Sequence, residues 1–454
     1  MSLSNSDLTH LLLAVVLLLL AAHGFGWLAA RLSQPRVAGE ILGGLLLGPT
    51  VLGLVAPEWQ QAIFQDGRVT QAGLGIFYQL GLLLLMYCSG AELRSILSRR
   101  DGRATAGIAA LGNVVPLLAG LGFLKLYDTD RFLGPAGNRT AFVLVFALAM
   151  AVTSIPVISR IMTDLGIMGT RFARIVLSVA VLEDLLVYVV LNLALAMVAP
   201  LHADTFSLPE QLGLQPASAL GNAYYVAVTL AFFALAAVFG PGTVQRLAGV
   251  RGNLLHRSSP LAFQLVLPLA LTTLATFLGV SPIFGALVAG MLASDLQGED
   301  EQARQTVHRF AFGFFIPLYF AIVGIRLDLV HHFEPMFFVV FLAFACLTKA
   351  TSCYGGARLA GQGRRGAWNL AVALNARGGP GIVLASVALD AGIINEGFYT
   401  SLVMLALITS VLAGSWLQVV LRRGRGQLLD DRDDPGLRRV VPGPVSGRPG
   451  CRCR

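Results

Sequence analysis

A few positions in this 454-residue sequence combine residue types that could build an ion site inside a membrane. Glu183 and Asp184 stand side by side in "VAVLEDLLVYVV", where ten of the twelve residues are apolar. In lipid a carboxylate on such a helix is costly unless something answers it. Lys349 in "LTKATSCYGG", Arg377 in "NARGGPGIV" and the Thr153–Ser154 pair in "AVTSIPV" supply two cations and two hydroxyls in similarly apolar surroundings. Acids, hydroxyl oxygens and neighbouring cations are the groups from which a buried ion site is built.

Their depths agree. Asp184 lies ten residues past Arg174, Lys349 nine before Arg358, Arg377 twelve after Arg365 and Thr153 eleven before Asp164. At about 1.5 Å per residue, all four sit roughly 14–18 Å inside a hydrocarbon core about 30 Å thick. Of 33 basic residues only Lys125, at a membrane edge, and Lys349 are lysines. A buried lysine can release its proton whereas an arginine hardly can, so Lys349 suits pairing and recharging, and Arg377 suits holding geometry. Adjacent helical residues point about 100° apart, so Glu183 and Asp184 cannot both face one partner. One ion-binding carboxylate and one carboxylate paired with the lysine is the natural division. The competing reading makes Glu183–Lys349 only a buried salt bridge, although such pairs are weak evidence for stability.

The elements that must position these residues are membrane spans. The chain is 56% hydrophobic and only 13% charged, against about 25% charged in soluble domains. Apolar windows of about 20 residues fall near 8–30, 37–55, 72–91, 104–125, 140–163, 172–199, 221–243, 260–279, 282–294, 306–325, 333–356, 367–390 and 396–421. The ninth is short and is expected to be tilted or only partly spanning. The first is too long for a secretory signal and has no basic residue before it, so it reads as a permanent span. His23 within it reads as a packed or interfacial histidine.

Loops such as "ELRSILSRRDGR", "RIMTDLGIMGTRFAR" and "ARLAGQGRR" alternate with arginine-poor loops such as "APLHADTFSLPEQLG" and "LDAGIINEG". The positive-inside rule then places the N-terminus outside and the C-terminus in the cytoplasm of a cell-membrane protein, with only "SDLQGEDEQARQ" dissenting. Residues 1–423 form the membrane domain, and the polar stretch 424–454, rich in Arg, Pro and Gly, reads as a disordered tail. The net charge of +8 follows from these arginines and does not call for a nucleic-acid partner. The five cysteines show no zinc or disulfide spacing, and His331–His332 read as a solvated pair.

Two halves of the chain echo each other. "GEILGGLLLGP" in the second span is repeated weakly as "GALVAG" in the ninth, and "SGAELRSIL" ending the third as "VGIRLDLV" ending the tenth. "TSIPV", with Pro156, stands to "RGGPGIV", with Pro380, as one proline-broken helix to another. The offsets run near 246, 234 and 224 residues. Seven spans separate each pair, so the copies are inverted. Inverted repeats carrying interrupted helices mark secondary transporters, with the substrate site where the breaks meet. A proline frees a backbone carbonyl one turn back, which lipid tolerates only in protein or beside a wet cavity.

The stretches "PRVAGEILGGLLLGPTVLG", "LLLLMYCSGAEL", "AMAVTSIPVISRIMTDLG", "VLEDLLVYVV", "SPIFGALVAGMLA", "PLYFAIVGIRLDL", "LTKATSCYGGARLAG" and "NARGGPGIVLASVALDAGII" resemble the successive motifs of bacterial monovalent cation:proton antiporters. The branch contains sodium/proton exchangers and potassium-efflux antiporters. The resemblance covers about residues 35–410 and implies an all-α protein of thirteen spans, divided into a core and a dimerisation domain. It also implies a homodimer and an elevator-like movement of the core. The family's acidic pair falls on Glu183 and Asp184, and its aspartate binding cation and proton in competition falls on Asp184. Its mid-membrane lysine falls on Lys349, and its crossed broken helices fall on Thr153–Pro156 and Asn375–Gly381. Na+ is the expected cation, with supporting oxygens from Thr153, Ser154 and freed carbonyls, and K+ the alternative. Two departures stand out. Glu183 replaces an Asp, Asn or Gln, and "ARGGPGIV" lacks the glutamate many relatives place shortly after "ARG".

Other classes fit poorly. A channel needs a continuous pore, and paired opposite charges at mid-depth suit occlusion better. No nucleophile–His–acid set or cofactor motif appears for an enzyme. The short polar tail, without G-x-G-x-x-G, disfavours a nucleotide-gated potassium-efflux antiporter.

Overall fold

The computed structural model describes the chain except for residues 1–3, 33, 66–67, 97–101, 199–206, 215–219, 222, 226, 233, 236–243, 245, 247–253, 295–298, 424–427 and 430–454. The described residues are almost entirely helical. The principal helices are α1 (Asn5–Arg31), α2 (Arg36–Leu47), α3 (Arg68–Ile96), α4 (Gly102–Leu126), α5 (Arg139–Ala151), α6 (Ile155–Asp164) and α7 (Arg171–Ala196). After the short α8 (Ala223–Phe232) come α9 (Pro260–Phe277), α10 (Pro282–Ala293), α11 (Glu299–Phe310), α12 (Ile316–Ile325), α13 (Pro335–Leu359), α14 (Arg364–Ala373), α15 (Gly378–Asp390) and α16 (Glu396–Arg422).

Ten stretches among the described residues are long and apolar enough to cross a bilayer, and Arg139–Ala151, Ala223–Phe232 and Pro282–Ala293 are shorter apolar helices. Those three stand at the fifth, seventh and ninth expected spans. In the seventh, 221–243, the positions 222, 226, 233 and 236–243 lie outside the described residues. The chain is a multi-pass helical membrane protein.

The helices sort by packing into two groups. One holds α1, α2, α3, α9, α10 and α12; the other holds α4 to α7 and α13 to α16. The first group is drawn together at glycines. A Cβ on Gly44 of α2 would overlap the backbone of Ala321, and one on Gly324 of α12 would overlap that of Ile41. The same relation joins Gly90 of α3 to Leu287 and Gly290 of α10 to Tyr87. Gly44 and Gly290 occupy the first pair of repeated motifs, Gly90 and Gly324 the second. The glycines that draw α2 to α12 and α10 to α3 thus all lie in the paired motifs.

Between the groups run a few polar ties near the end of α15. Arg326 Nη1 meets Asp390 Oδ1 at 2.7 Å, Tyr78 donates to Asp390 Oδ2 at 3.0 Å, and Tyr399 donates to Val323 O at 3.1 Å. Leu428 and Leu429 of the expected tail are buried, and Asn369 Nδ2 donates to Leu428 O. The rest of that tail lies outside the described residues.

Candidate functional site

Two helices of the second group are interrupted at the same place. The run from Arg139 stops at Ala151 because Val152 turns extended (φ −60°, ψ 140°), and α6 restarts at Ile155. Pro156, second in α6, has no N–H with which to answer the carbonyl of Val152. Opposite it, α14 ends at Ala373 and α15 begins at Gly378, with Pro380 in its first turn. The breaks cross and bond to each other. Ser154 N donates to Ala376 O (2.7 Å), Thr153 Oγ1 donates to Leu374 O (2.6 Å), and Gly379 N donates to Ser154 Oγ (3.0 Å).

An α-helix that ends in mid-membrane leaves its last carbonyls without partners and presents a partial negative charge. Here two cations take them. Arg377 Nε donates to Ala149 O (3.2 Å) and its Nη2 to Met150 O (3.1 Å), while Lys349 Nζ donates to Ala151 O. Arg377 also reaches Ala345 O of α13 (3.0 Å) and Asn375 Oδ1 (2.9 Å). It pins α5, α13 and its own break together, a geometric role. Asn375 Nδ2 in turn donates to Cys346 O at 3.4 Å.

Lys349 is saturated. Its three ammonium hydrogens meet Ala151 O, Gly112 O of α4 at 3.0 Å and Glu183 Oε1 at 2.8 Å. Both side chains of the Glu183–Lys349 pair are fully buried. Asp184, 1% exposed, points to a different sector, as the 100° offset demands. Its Oδ1 has no hydrogen-bond partner among the described residues, nor has Glu183 Oε2. A buried, unanswered carboxylate oxygen is high in energy as an anion; a proton or a monovalent cation would neutralise it.

The expected site residues thus fall into one neighbourhood, in differing capacities. Glu183 and Lys349 pair. Arg377, Asn375, Pro156 and Pro380 build the crossing. The hydroxyls of Thr153 and Ser154 lie in the break, where both are already bonded across it, Ser154 Oγ also accepting from Val157 N at 3.3 Å. Sequence reasoning missed Gly112 and Ala151, which act through their carbonyls, and Thr409, whose Oγ1 accepts from Arg377 N at 3.2 Å. It also gave no role to Tyr188 and Asn192, four and eight residues past Asp184 on one helix face.

His331 and His332 are both exposed in the loop after α12, and each leans on an acid. Nδ1 of His331 lies 2.9 Å from Asp328 Oδ2, and His332 approaches Asp328 (3.5 Å) and Glu396 (3.1 Å). Among the described residues there is still no cluster of three metal-ligating side chains. His23 is fixed by a 3.0 Å contact between Nε2 and Gly313 O.

Two interrupted helices that bond at their breaks, beside a buried carboxylate–lysine pair, are the arrangement in which secondary transporters hold their substrates. The family model for the transmembrane sodium/hydrogen exchanger matches residues 14–423, and the chain belongs to that family. It is a monovalent cation/proton antiporter, and not an enzyme. It is 25% identical over 418 residues to the Na(+)/H(+) antiporter NhaS4 of Synechocystis, covering 90% of this chain and 96% of that protein. It is equally 25% identical to a Na(+)/H(+) antiporter of Enterococcus hirae, over 88% of this chain and 96% of the relative. With the K(+)/H(+) antiporter 1 of Saccharomyces cerevisiae it shares 27% identity over 92% of its length, but spans only 47% of that longer protein. The sodium proton antiporter MjNhaP1 from Methanocaldococcus jannaschii has the same fold, with a TM-score of 0.58 at 14% identity, covering 91% of this chain and 98% of that one.

Proposed function

We propose that the protein exchanges a monovalent cation, Na+ in the first instance, for protons by alternating access, with Asp184 as the shared binding residue. The observation that carries this reading is that Lys349 answers only one of two adjacent acids. It pairs with Glu183 Oε1 at 2.8 Å, whereas among the described residues Asp184 has no cationic partner and its buried Oδ1 has no hydrogen bond.

The chemistry follows from charge. Protonated, Asp184 is neutral; ionised with one alkali cation, it is again neutral. Either form can be occluded in a low-dielectric interior, whereas the empty carboxylate is a lone buried charge and is strongly penalised. Movement of the site between the two membrane faces therefore needs one ligand or the other, which couples the two fluxes. Thr153, Ser154 and the carbonyls of the breaks are the supporting oxygens; Thr153 Oγ1, which donates one bond, still has lone pairs to offer a cation, whereas Ser154 Oγ must release one of the two N–H groups it accepts.

The same reading assigns thirteen crossings, an N-terminus outside and a C-terminus in the cytoplasm of the cell membrane. The second helix group moves against the first, which forms a homodimer. The two-group packing and the alternation of arginine-rich loops support it. Exchange of K+ for protons is the alternative, supported by the yeast relative. The test is dissipation of a preset pH gradient in proteoliposomes on adding Na+, K+, Li+ or choline. Saturable dissipation by Na+ above K+ and none by choline is expected; a response to K+ alone would transfer the assignment to K+. No response to any alkali cation from folded protein would end it.

A further inference from the structure

One face of α7 carries a polar stripe directed away from its arginine-rich N-terminal end. Asp184, Tyr188 and Asn192 follow at intervals of four residues, so they lie above one another on that face, and all three are buried at 1%, 1% and 3% exposure. The stripe faces the other helix group. The Tyr188 ring packs edge-on against Phe284 of α10 with centroids 5.7 Å apart, and Asn192 Oδ1 accepts from the backbone N–H of Ser281, the residue capping α10. Asn192 is satisfied at its other end too, donating to Thr229 Oγ1. Tyr188 is not. Its hydroxyl is buried without a hydrogen-bond partner among the described residues, one turn from an Asp184 oxygen in the same condition.

Tyrosine hydroxyls normally find a partner when buried. The two orphaned oxygens belong to residues four apart, whose backbones are about 6 Å apart along the axis, and a long helical side chain leans back over the preceding turn, so that a single ion can reach both. One is a carboxylate and the other a neutral oxygen acceptor. We infer that the Tyr188 hydroxyl is a further ligand of the transported cation, completing its shell on the side of Asp184 that faces α10. This rests on Asp184 being the carrier. A neutral phenol favours the cation-loaded form and adds nothing to the binding of a proton, so it separates the two competing ligands. Phe284 holds the ring in place, and Asn192 closes the stripe beyond it.

The test is Tyr188→Phe, which keeps the ring and its contact with Phe284 and removes one oxygen. Cation-dependent dissipation of a pH gradient is titrated for wild type, Tyr188→Phe and Asp184→Asn, together with the rise in melting temperature that Na+ and K+ give the detergent-purified proteins. Tyr188→Phe is expected to raise the apparent KM for the cation about tenfold, corresponding to about 1.4 kcal/mol, with the maximal rate retained. The cation-induced rise in melting temperature should shift to correspondingly higher concentration. An unchanged KM and unchanged thermal protection would overturn the inference, leaving the hydroxyl bonded to water alone. A changed pH profile at constant KM would overturn it as well, in favour of a proton relay. If Tyr188→Phe melts early and exchanges poorly, the thermal titration still decides, since it needs no turnover. Exchange and cation protection surviving in Asp184→Asn would instead defeat the carrier assignment beneath it.

Discussion

Lys349 Nζ lies 2.8 Å from Glu183 Oε1, and neither side chain is exposed at all. The lysine also holds Gly112 O and Ala151 O, so this one ammonium group ties α4, the broken helix α5 and the carboxylate of α7 together. Removing one partner of such a pair leaves an uncompensated buried charge, typically about 3–5 kcal/mol, whereas removing both can be nearly neutral. Lys349→Met should therefore lower the melting temperature sharply, and Glu183→Gln combined with Lys349→Met should recover much of the loss. Thermal melts in detergent check this. A double variant no more stable than the single one would show that the lysine acts through its two carbonyls and not through the acid.

Arg377 makes a different demand. Three of its side-chain bonds go to backbone carbonyls, those of Ala149, Met150 and Ala345, and their geometry needs a planar fork of donors. Arg377→Lys keeps the charge and cannot reproduce the fork. Each carbonyl left without a partner costs about 1–3 kcal/mol. The expected result is protein of lower melting temperature whose exchange rate falls by more than about tenfold, comparable to a loss of about 1.4 kcal/mol in the transition state. Retained exchange in Arg377→Lys would mean that only the field of the arginine matters.

The crossing of the two breaks depends on Gly378. Its φ is +22°, and a Cβ there would overlap Val157 Cγ2 and crowd Ser154 Oγ, which receives the N–H of Gly379. Gly378→Ala should cost about 1–3 kcal/mol through overpacking alone, read as a lower melting temperature, and should abolish exchange by parting the breaks. Full activity would show that the crossing is looser than its hydrogen bonds imply.

Asp328, in the loop after α12, has a pH signature. Burial by itself would raise its pKa. The His331 N–H (2.9 Å), the His331 ring and the Val330 N–H (3.0 Å) more than offset that and hold the carboxyl below its ordinary range. A depressed pKa in the folded state gives stability that is present above the unfolded value, about 3.9, and fades as pH falls through the folded one. Asp328→Asn should thus lower the melting temperature at neutral pH and make progressively less difference below about pH 4. An equal deficit at both ends of the range would contradict the assignment.

Much of this architecture was legible in the sequence because lipid enforces simple rules. Apolar length marked ten long helices and three shorter ones, and counting residues from charged positions at their ends singled out Thr153, Asp184, Lys349 and Arg377 together. The doubled motifs hold the glycines at which α2 meets α12 and α10 meets α3. What could not be read was which carboxylate faces the lysine. Adjacency fixes the angle between Glu183 and Asp184, but the choice between them depends on where α4 and α13 stand around α7. Backbone acceptors were equally hidden, since the carbonyls of Gly112, Ala149 and Ala151 have no identity in a sequence. Tyr188 lay within the apolar run quoted first, and only its unbonded hydroxyl in the folded chain distinguishes it from packing.

The most direct measurement of the central claim sets Asp184→Asn beside wild type in proteoliposomes under a preset pH gradient, with reconstituted amounts matched. The account predicts that alkali cations dissipate the gradient through wild type and do nothing through Asp184→Asn, although the variant melts no lower, since Asp184 Oδ1 has no hydrogen bond to lose among the described residues. Cation-dependent dissipation of wild-type size through Asp184→Asn would contradict it, and the exchanging carboxylate would then have to be sought elsewhere.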